Sequence, residues 1–278
     1  LELALGGEMG RLTIRSFPDG ESSVRLAPPV SARDVVLVAT LKRPNDKVLP
    51  LLFAADALRD LGATRIGLVA PYLAYMRQDA RFEPGEAITA RSFAALISQS
   101  MDWLLTVDPH LHRIARLTDL YAIPARVVHS AADLGNWIAA NIRSPLIIGP
   151  DAESRQWVDG IAAAACAPST VLTKTRRGDA TVIESIPDLG DNRSCTPVLV
   201  DDIISTGQTM IAAIEHLRDQ SAAPPTCVAV HAVFADGAYD ALKAAGAARV
   251  VTTNTIPHPS NAIDIVPAVA THLHDQLG

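Results

Sequence analysis

Asp201 and Asp202 close an aliphatic run and are followed at once by a small hydroxyl-and-glycine turn, Ser205-Thr206-Gly207, in the stretch VLVDDIISTGQTM. Val198-Leu199-Val200 has the composition of a buried strand. From Thr209 to Leu217 the residues Met210, Ala213, Ile214 and Leu217 recur at helical spacing. Strand, acidic pair, turn and helix in that order put carboxylates at a strand end and unpaired backbone N–H groups at a helix start. Such N–H groups, with the helix dipole behind them, suit a phosphate dianion. Carboxylates just before them accept hydrogen bonds from sugar hydroxyls. Asp201, Asp202 and the segment Ser205, Thr206, Gly207, Gln208 and Thr209 are therefore expected to hold a sugar phosphate. The plainer alternative is a strand end capped by Asp, with a helix N-cap at Thr206.

The elements that must position this turn alternate along the chain. Val35–Ala39, Ile66–Ala70 and Trp103–Val107 read as strands, with helices near Leu49–Leu61 and Ala90–Ser100. Leu146–Ile148, Thr170–Leu172, Val198–Val200, Val228–Val233 and Val250–Thr253 read as further strands, and a last helix is expected from Pro267. Alternation of this kind argues for parallel sheets covered by helices on both faces. ALRDLGATRI at Ala57–Ile66 and ALKAAGAARV at Ala241–Val250 match in register, each a helix ending at a glycine before a strand. The pair is either a commonplace helix–glycine–strand unit or the trace of a duplicated α/β domain. Arg143-Ser144-Pro145 is the expected boundary, giving domains 1–143 and 144–278.

Composition narrows the class. With 49% hydrophobic residues the chain has ample material for packed cores, and 24 Lys plus Arg against 30 Asp plus Glu give a balance of −6. A mildly acidic chain has no general attraction for nucleic acid. No apolar run reaches the length of a membrane span, and no signal peptide is visible near Leu1. The cysteines, 166, 195 and 227, are odd in number and widely spaced, as in a cytoplasmic protein with incidental thiols. The common phosphate-loop, dinucleotide, zinc-protease and nucleophile-elbow motifs are all absent. A nucleotide, if bound, is held by another geometry.

The Asp-Asp turn resembles the phosphoribosyl pyrophosphate loop of the type I phosphoribosyltransferase fold. Three further stretches, SFPDGE (Ser16–Glu21), PYLAYMRQDARFEPGEAITA (Pro71–Ala90) and TVDPH (Thr106–His110), resemble in the same order the signatures of ribose-phosphate pyrophosphokinases, closer to the archaeal-type branch. The resemblance implies two tandem α/β domains of phosphoribosyltransferase type I, each a mainly parallel sheet flanked by helices. It implies transfer of the pyrophosphoryl group of ATP to the anomeric hydroxyl of ribose 5-phosphate, with Mg2+ as cofactor and AMP released. It also implies a homo-oligomer, a dimer or higher, with the ATP site near a subunit interface.

Carried over by position, Phe17, Asp19, Gly20 and Glu21 contact ATP, with Phe17 beside the adenine; Arg77 and Gln78 bind its phosphates and base. His110 and Asp151 hold magnesium. The ribose 5-phosphate site is the Asp-Asp turn itself. TKTRRGD, Thr173–Asp179, occupies the position of the family's mobile catalytic loop, with Lys174 and Arg176 as its working cations. The chemistry agrees, because phosphoryl transfer is mostly positioning and cation clamping and a guanidinium matches phosphate oxygens. Magnesium takes few protein ligands and several phosphate oxygens. By residue type alone KTRR is a solvated charge run and His110 a strand-end histidine. Three positions depart from the family pattern: Gln208 for a second glycine, Ser205 for an acid and Pro109 for a leucine. A phosphoribosyltransferase, or a non-catalytic regulatory relative of the synthetase, are the alternatives.

Overall fold

The computed structural model describes residues 6–27, 29–111, 113–151, 154–177, 180–185, 194–220 and 222–277, with side chains described outside 173–185. The chain forms two compact units, Leu1–Val128 with Val266–Gly278, and His129–Ile265.

The first unit opens with an antiparallel hairpin, β1 (Leu12–Ser16) and β2 (Ser22–Leu26), registered Leu12 to Leu26. A four-stranded parallel sheet follows, with β3 (Asp34–Val38), β4 (Arg65–Ala70), β5 (Trp103–Val107) and β6 (Ala125–Val128) side by side in chain order. Helices α1 (Asn45–Asp60) and α2 (Thr89–Ser100) make the first two crossovers. β5 is buried along its whole length and β4 from Ile66 onward, as expected of strands covered on both faces. Gly67 is fixed by packing: a Cβ there would lie 1.9 Å from the ring of Trp103 on the neighbouring strand.

In the second unit, α3 (Ala131–Asn141), β7 (Pro145–Gly149), α4 (Arg155–Ala165) and β8 (Ser169–Val171) come first. An antiparallel pair, β9 (Thr173–Arg177) and β10 (Ala180–Ser185), lies outside the main sheet. Then come β11 (Thr196–Ile203), α5 (Gln208–Asp219), β12 (Thr226–His231), α6 (Ala238–Ala245), β13 (Arg249–Thr253) and β14 (Asn261–Ile263). The main sheet runs β14-β13-β12-β11-β7-β8, every pair parallel. Among the described residues no helix is long and apolar enough to cross a membrane.

Several expectations need adjustment. The units part at 128/129, whereas the boundary read at 143/144 falls between α3 and β7. α3 packs so closely on α4 that a Cβ on Gly135 would meet the Ala164 side chain at 2.5 Å, which ties α3 to the second unit. The helix Val266–Leu277, read as part of the second domain, groups with the first. Thr173–Arg177, expected as a loop, has strand backbone paired with β10. Asp201 and Asp202 do not follow the strand but lie within β11, with Asp201 opposite Ala229. The two matched segments share one geometry: α1 and α6 each end at a glycine of positive φ, +83° at Gly62 and +114° at Gly246, before a strand.

Candidate functional site

In the second unit the chain leaves β7 toward β8 on one side, yet β11 pairs with β7 on the other and leads through α5 to β12. The order of the strands therefore reverses between β7 and β11. In open parallel sheets such a reversal splays the two crossovers apart and leaves a crevice beyond the carboxyl ends of the strands, where ligands bind. A small, mostly apolar cleft at this point is lined by Ile148, Gly149, Leu172, Leu199 and Met210, with Asp201 and Thr209 among its walls. Gly149 ends β7 beneath α4, and a Cβ there would collide with the Val158 side chain at 2.4 Å. Two residues on, Asp151 accepts the Ser154 N–H on Oδ1 (3.1 Å), while the Ser154 hydroxyl donates to the Asp151 carbonyl (2.7 Å).

Beyond β11 the turn is hung from the next strand. Ile204 N–H donates to the His231 carbonyl (3.3 Å), Phe234 N–H to the Ile204 carbonyl (2.8 Å) and Ala235 N–H to the Ser205 carbonyl (3.0 Å). Phe234 is itself gripped by His258 and Tyr239, with ring centroids 4.6 and 5.6 Å away. The N-cap of α5 is Gly207, at φ +74°, and no side chain caps the helix. Of its first-turn N–H groups, that of Gln208 makes one long contact to the Thr206 hydroxyl (3.5 Å). The N-cap expected at Thr206 falls one residue later. Gln208 is the first helical residue and its side chain is exposed, so the positive φ that only glycine takes without strain is needed at 207. The Asp201 carboxylate accepts the Asp202 N–H (2.9 Å), and both side chains are half-buried. Met210, Ala213, Ile214 and Leu217 form the buried face of α5, as their spacing indicated.

The remaining candidates divide between the first unit and the β9–β10 pair. Phe17, Asp19, Gly20 and Glu21 form the tip of the β1–β2 hairpin. Phe17 N–H donates to the Glu21 carbonyl (2.7 Å), Glu21 N–H donates to Asp19 Oδ1 (3.1 Å), and Gly20 takes φ +93°. Phe17 is 50% exposed. Arg77, exposed, and Gln78, half-buried, sit on the long segment between β4 and α2, and half-buried His110 follows β5. β4 and β5 are adjacent, so both segments leave the same sheet edge. Lys174 and Arg176 lie in β9 opposite Ile183 and Thr181; their side chains, and Asp179, fall outside the described residues.

Two polar contacts in the first unit have no counterpart in the sequence reading. Glu86 accepts the N–H groups of Phe82 (2.9 Å) and Glu83 (3.2 Å). These bonds, with a further one from Gln78, hold its carboxyl below the ordinary value. Asp79 accepts two bonds from Arg113, one from its backbone N–H (2.9 Å) and one from its guanidinium (3.0 Å). Burial alone would raise the Asp79 carboxyl, but the Arg113 contacts outweigh it and leave the group below its usual range. A motif could have marked Asp79, which follows Arg-Gln; nothing in the sequence ties it to a residue so far along the chain. Among the described residues no three His, Cys, Asp or Glu side chains cluster as a metal cage.

Residues 2–100 match the family model described as the N-terminal domain of ribose phosphate pyrophosphokinase, and residues 116–266 match the phosphoribosyl transferase domain. The chain is 34% identical over 278 residues to a ribose-phosphate pyrophosphokinase of Methanopyrus kandleri, covering 99% of this chain and 94% of that protein. It is 33% identical over 273 residues to the Halobacterium salinarum protein of the same name, covering 98% and 95%. Among solved structures it is similar to the phosphoribosylpyrophosphate synthetase from Mycobacterium smegmatis. There the TM-score is 0.86 at 26% identity, over 99% of this chain and 93% of that one.

Proposed function

The chain belongs to the ribose-phosphate pyrophosphokinase family, and from that premise we infer how its residues share the work of the reaction. The enzyme transfers the pyrophosphoryl group of ATP to the anomeric hydroxyl of ribose 5-phosphate, giving phosphoribosyl pyrophosphate and AMP. The observation that carries our assignment is the reversal of strand order between β7 and β11, since Asp151 follows β7 by two residues and the Asp201–Thr209 segment closes the adjacent β11.

Ribose 5-phosphate takes this crevice. Its phosphate receives the N–H groups at the start of α5, where dipole and donors act together. Its ring hydroxyls donate to Asp201 and Asp202, whose place inside a buried strand keeps their backbone still. Lys174 and Arg176 supply cations to the oxygens on which charge grows as the sugar hydroxyl attacks the β-phosphorus in line and AMP departs. Arg77 and Gln78 hold ATP in the first unit. Phe17, Asp19, Gly20 and Glu21, at the exposed hairpin tip, contact ATP in a neighbouring copy, so the working form is at least a dimer. The working compartment is the cytoplasm.

Asp151 in the second unit and His110 in the first are each proposed as a magnesium ligand. The Asp151 carboxylate suits the ion, which binds through one or two carboxylates and otherwise through phosphates and water, whereas the imidazole nitrogen of His110 is a softer donor than magnesium ordinarily takes. When bound, magnesium would neutralise charge on the phosphoryl oxygens. Purified protein given ATP, magnesium and ribose 5-phosphate should release AMP in proportion to phosphoribosyl pyrophosphate formed. No sugar-dependent AMP would mean a non-catalytic relative.

Gln208→Gly tests the phosphate segment. An exposed residue in the first turn of a helix gives its N–H to the anion and its side chain to water. The variant should bind ribose 5-phosphate within about twofold of the parent by calorimetric titration. A tenfold loss, about 1.4 kcal/mol, would make the Gln208 amide a ligand.

A further inference from the structure

We propose that Arg113 is a positioning residue for ATP, acting by fixing the Arg77–Gln78 segment through its grip on Asp79. The inference rests on the reading of Arg77 and Gln78 as ATP contacts. The segment from Pro71 to Ile88 has no helix or strand of its own, so its shape rests on a few backbone bonds, such as Ala90 N–H to the Gln78 carbonyl (3.3 Å), and on side-chain contacts. Its carboxyl-terminal part is closed internally by Glu86, which caps Phe82 and Glu83, while the Arg81 Nε donates to the Glu86 carbonyl (2.9 Å). The part that bears Arg77 and Gln78 shares that closure through the bond from Gln78 to Glu86, keeps the Ala90 bond to its Gln78 carbonyl, and has one further anchor. The next residue, Asp79, turns its side chain inward until only 2% of it is exposed. There it receives the backbone N–H and the guanidinium of Arg113, one on each carboxylate oxygen.

Arg113 makes a second contact with the same segment, since its guanidinium carbon lies 5.2 Å from the centre of the Phe82 ring. One side chain thus spans Asp79 to Phe82 from outside the segment. Arg113 also stands three residues after His110, on the chain that leaves β5, while Asp79 stands on the chain that leaves β4. The ion pair therefore couples two segments that emerge from neighbouring strands and carry three of the proposed ligands. Charge matters as well as shape: without the guanidinium, the sunken carboxylate keeps one N–H and must turn toward water. Arg77 and Gln78 precede it directly and would turn with it.

Initial rates would be measured with ATP and ribose 5-phosphate varied separately, for Arg113→Ala, Arg113→Lys, Asp79→Ala, the Asp79→Ala/Arg113→Ala pair and Arg77→Ala. Arg113→Ala should raise the KM for ATP about tenfold, the size expected for contacting charged side chains, and move the KM for ribose 5-phosphate by less than about twofold. Arg113→Lys keeps the charge but not the fork and should recover part of the loss. The double variant should be no worse than the poorer single one, because both act on the same contact. A rise in both KM values together, a fall in kcat with melting temperature alone, or additive effects of the two alanines would each overturn the proposal. Should Arg113→Ala fail to fold, Arg113→Lys carries the comparison, and a KM for ATP equal to the parent's overturns it. Arg77→Ala separates the two readings. If it raises the KM for ATP and Arg113→Ala does not, positioning by Arg113 fails alone; if neither does, the ATP assignment fails and takes this inference with it.

Discussion

Lys174→Ala slows turnover by about 10²–10³-fold, the typical loss for one donor aimed at transition-state charge, while the KM for ribose 5-phosphate moves by no more than a few-fold. The reason lies in where the charge appears. In the proposed assignment ground-state sugar is bound by Asp201, Asp202 and the α5 start, on the main sheet; Lys174 belongs to β9, which among the described residues pairs with β10. An interaction made only as the pyrophosphoryl group moves lowers kcat and kcat/KM together. The main sheet keeps all six strands in the variant, so its melting curve should overlay the parent's. Steady-state rates with the sugar varied at saturating ATP decide the matter. Turnover within a few-fold of the parent would make Lys174 a surface lysine.

Gly207→Ala is the second large effect, and it falls on binding. Gly207 is held at φ +74°, where an L residue is strained, and an added Cβ would meet the Leu242 side chain at 3.3 Å. Keeping that conformation costs roughly 1–2 kcal/mol. Relaxing it swings the first N–H groups of α5 away from the line on which they converge. Either way the phosphate loses: affinity for ribose 5-phosphate should fall about tenfold or more, equivalent to at least about 1.4 kcal/mol. The KM for ATP should stay within about twofold. The neighbouring Gln208→Gly is the control, since it alters the next residue without touching the constrained one. Equal losses in the two variants would mean that the turn does not depend on the φ at 207.

The sequence made most of the fold legible where burial was continuous. Trp103–Val107 is a strand to the residue because both faces are covered and every position is apolar or small. The α5 face was equally plain, since Met210, Ala213, Ile214 and Leu217 obey one period. The β1–β2 hairpin left no such trace: β1 is exposed throughout, so no buried face imposes a pattern on it. Asp201 and Asp202 looked like a strand terminus because acids are rare inside strands, yet pairing with β12 carries β11 through them to Ile203. The loop expected at Thr173–Arg177 came from the family resemblance alone, and its backbone instead pairs with β10. The strand–turn–helix order around Asp201 and Gly207 was legible because its parts are contiguous. The Asp79–Arg113 pair was missed because its partners meet only when β4 and β5 lie side by side.

Strand order also decides when the crevice comes into being. β7 and β11 pair from Pro145 with Thr196 to Ile148 with Leu199, so the intervening chain must close first. For a flexible loop of about 50 residues the length-dependent part of that entropy is about 3.5 kcal/mol. Pairings so distant along the chain slow folding. Other parts of the second unit are cheaper to make: β12 and β13 are joined by one short helix, and β7 and β8 by another. The sugar crevice is created by the costly step, because it lies across the seam between these two halves of the sheet. Completing the second unit and acquiring its ligand site are then a single event. On the proposed assignment, ribose 5-phosphate binds only the closed seam and so stabilises the folded unit by mass action, with the logarithm of its concentration once that exceeds Kd.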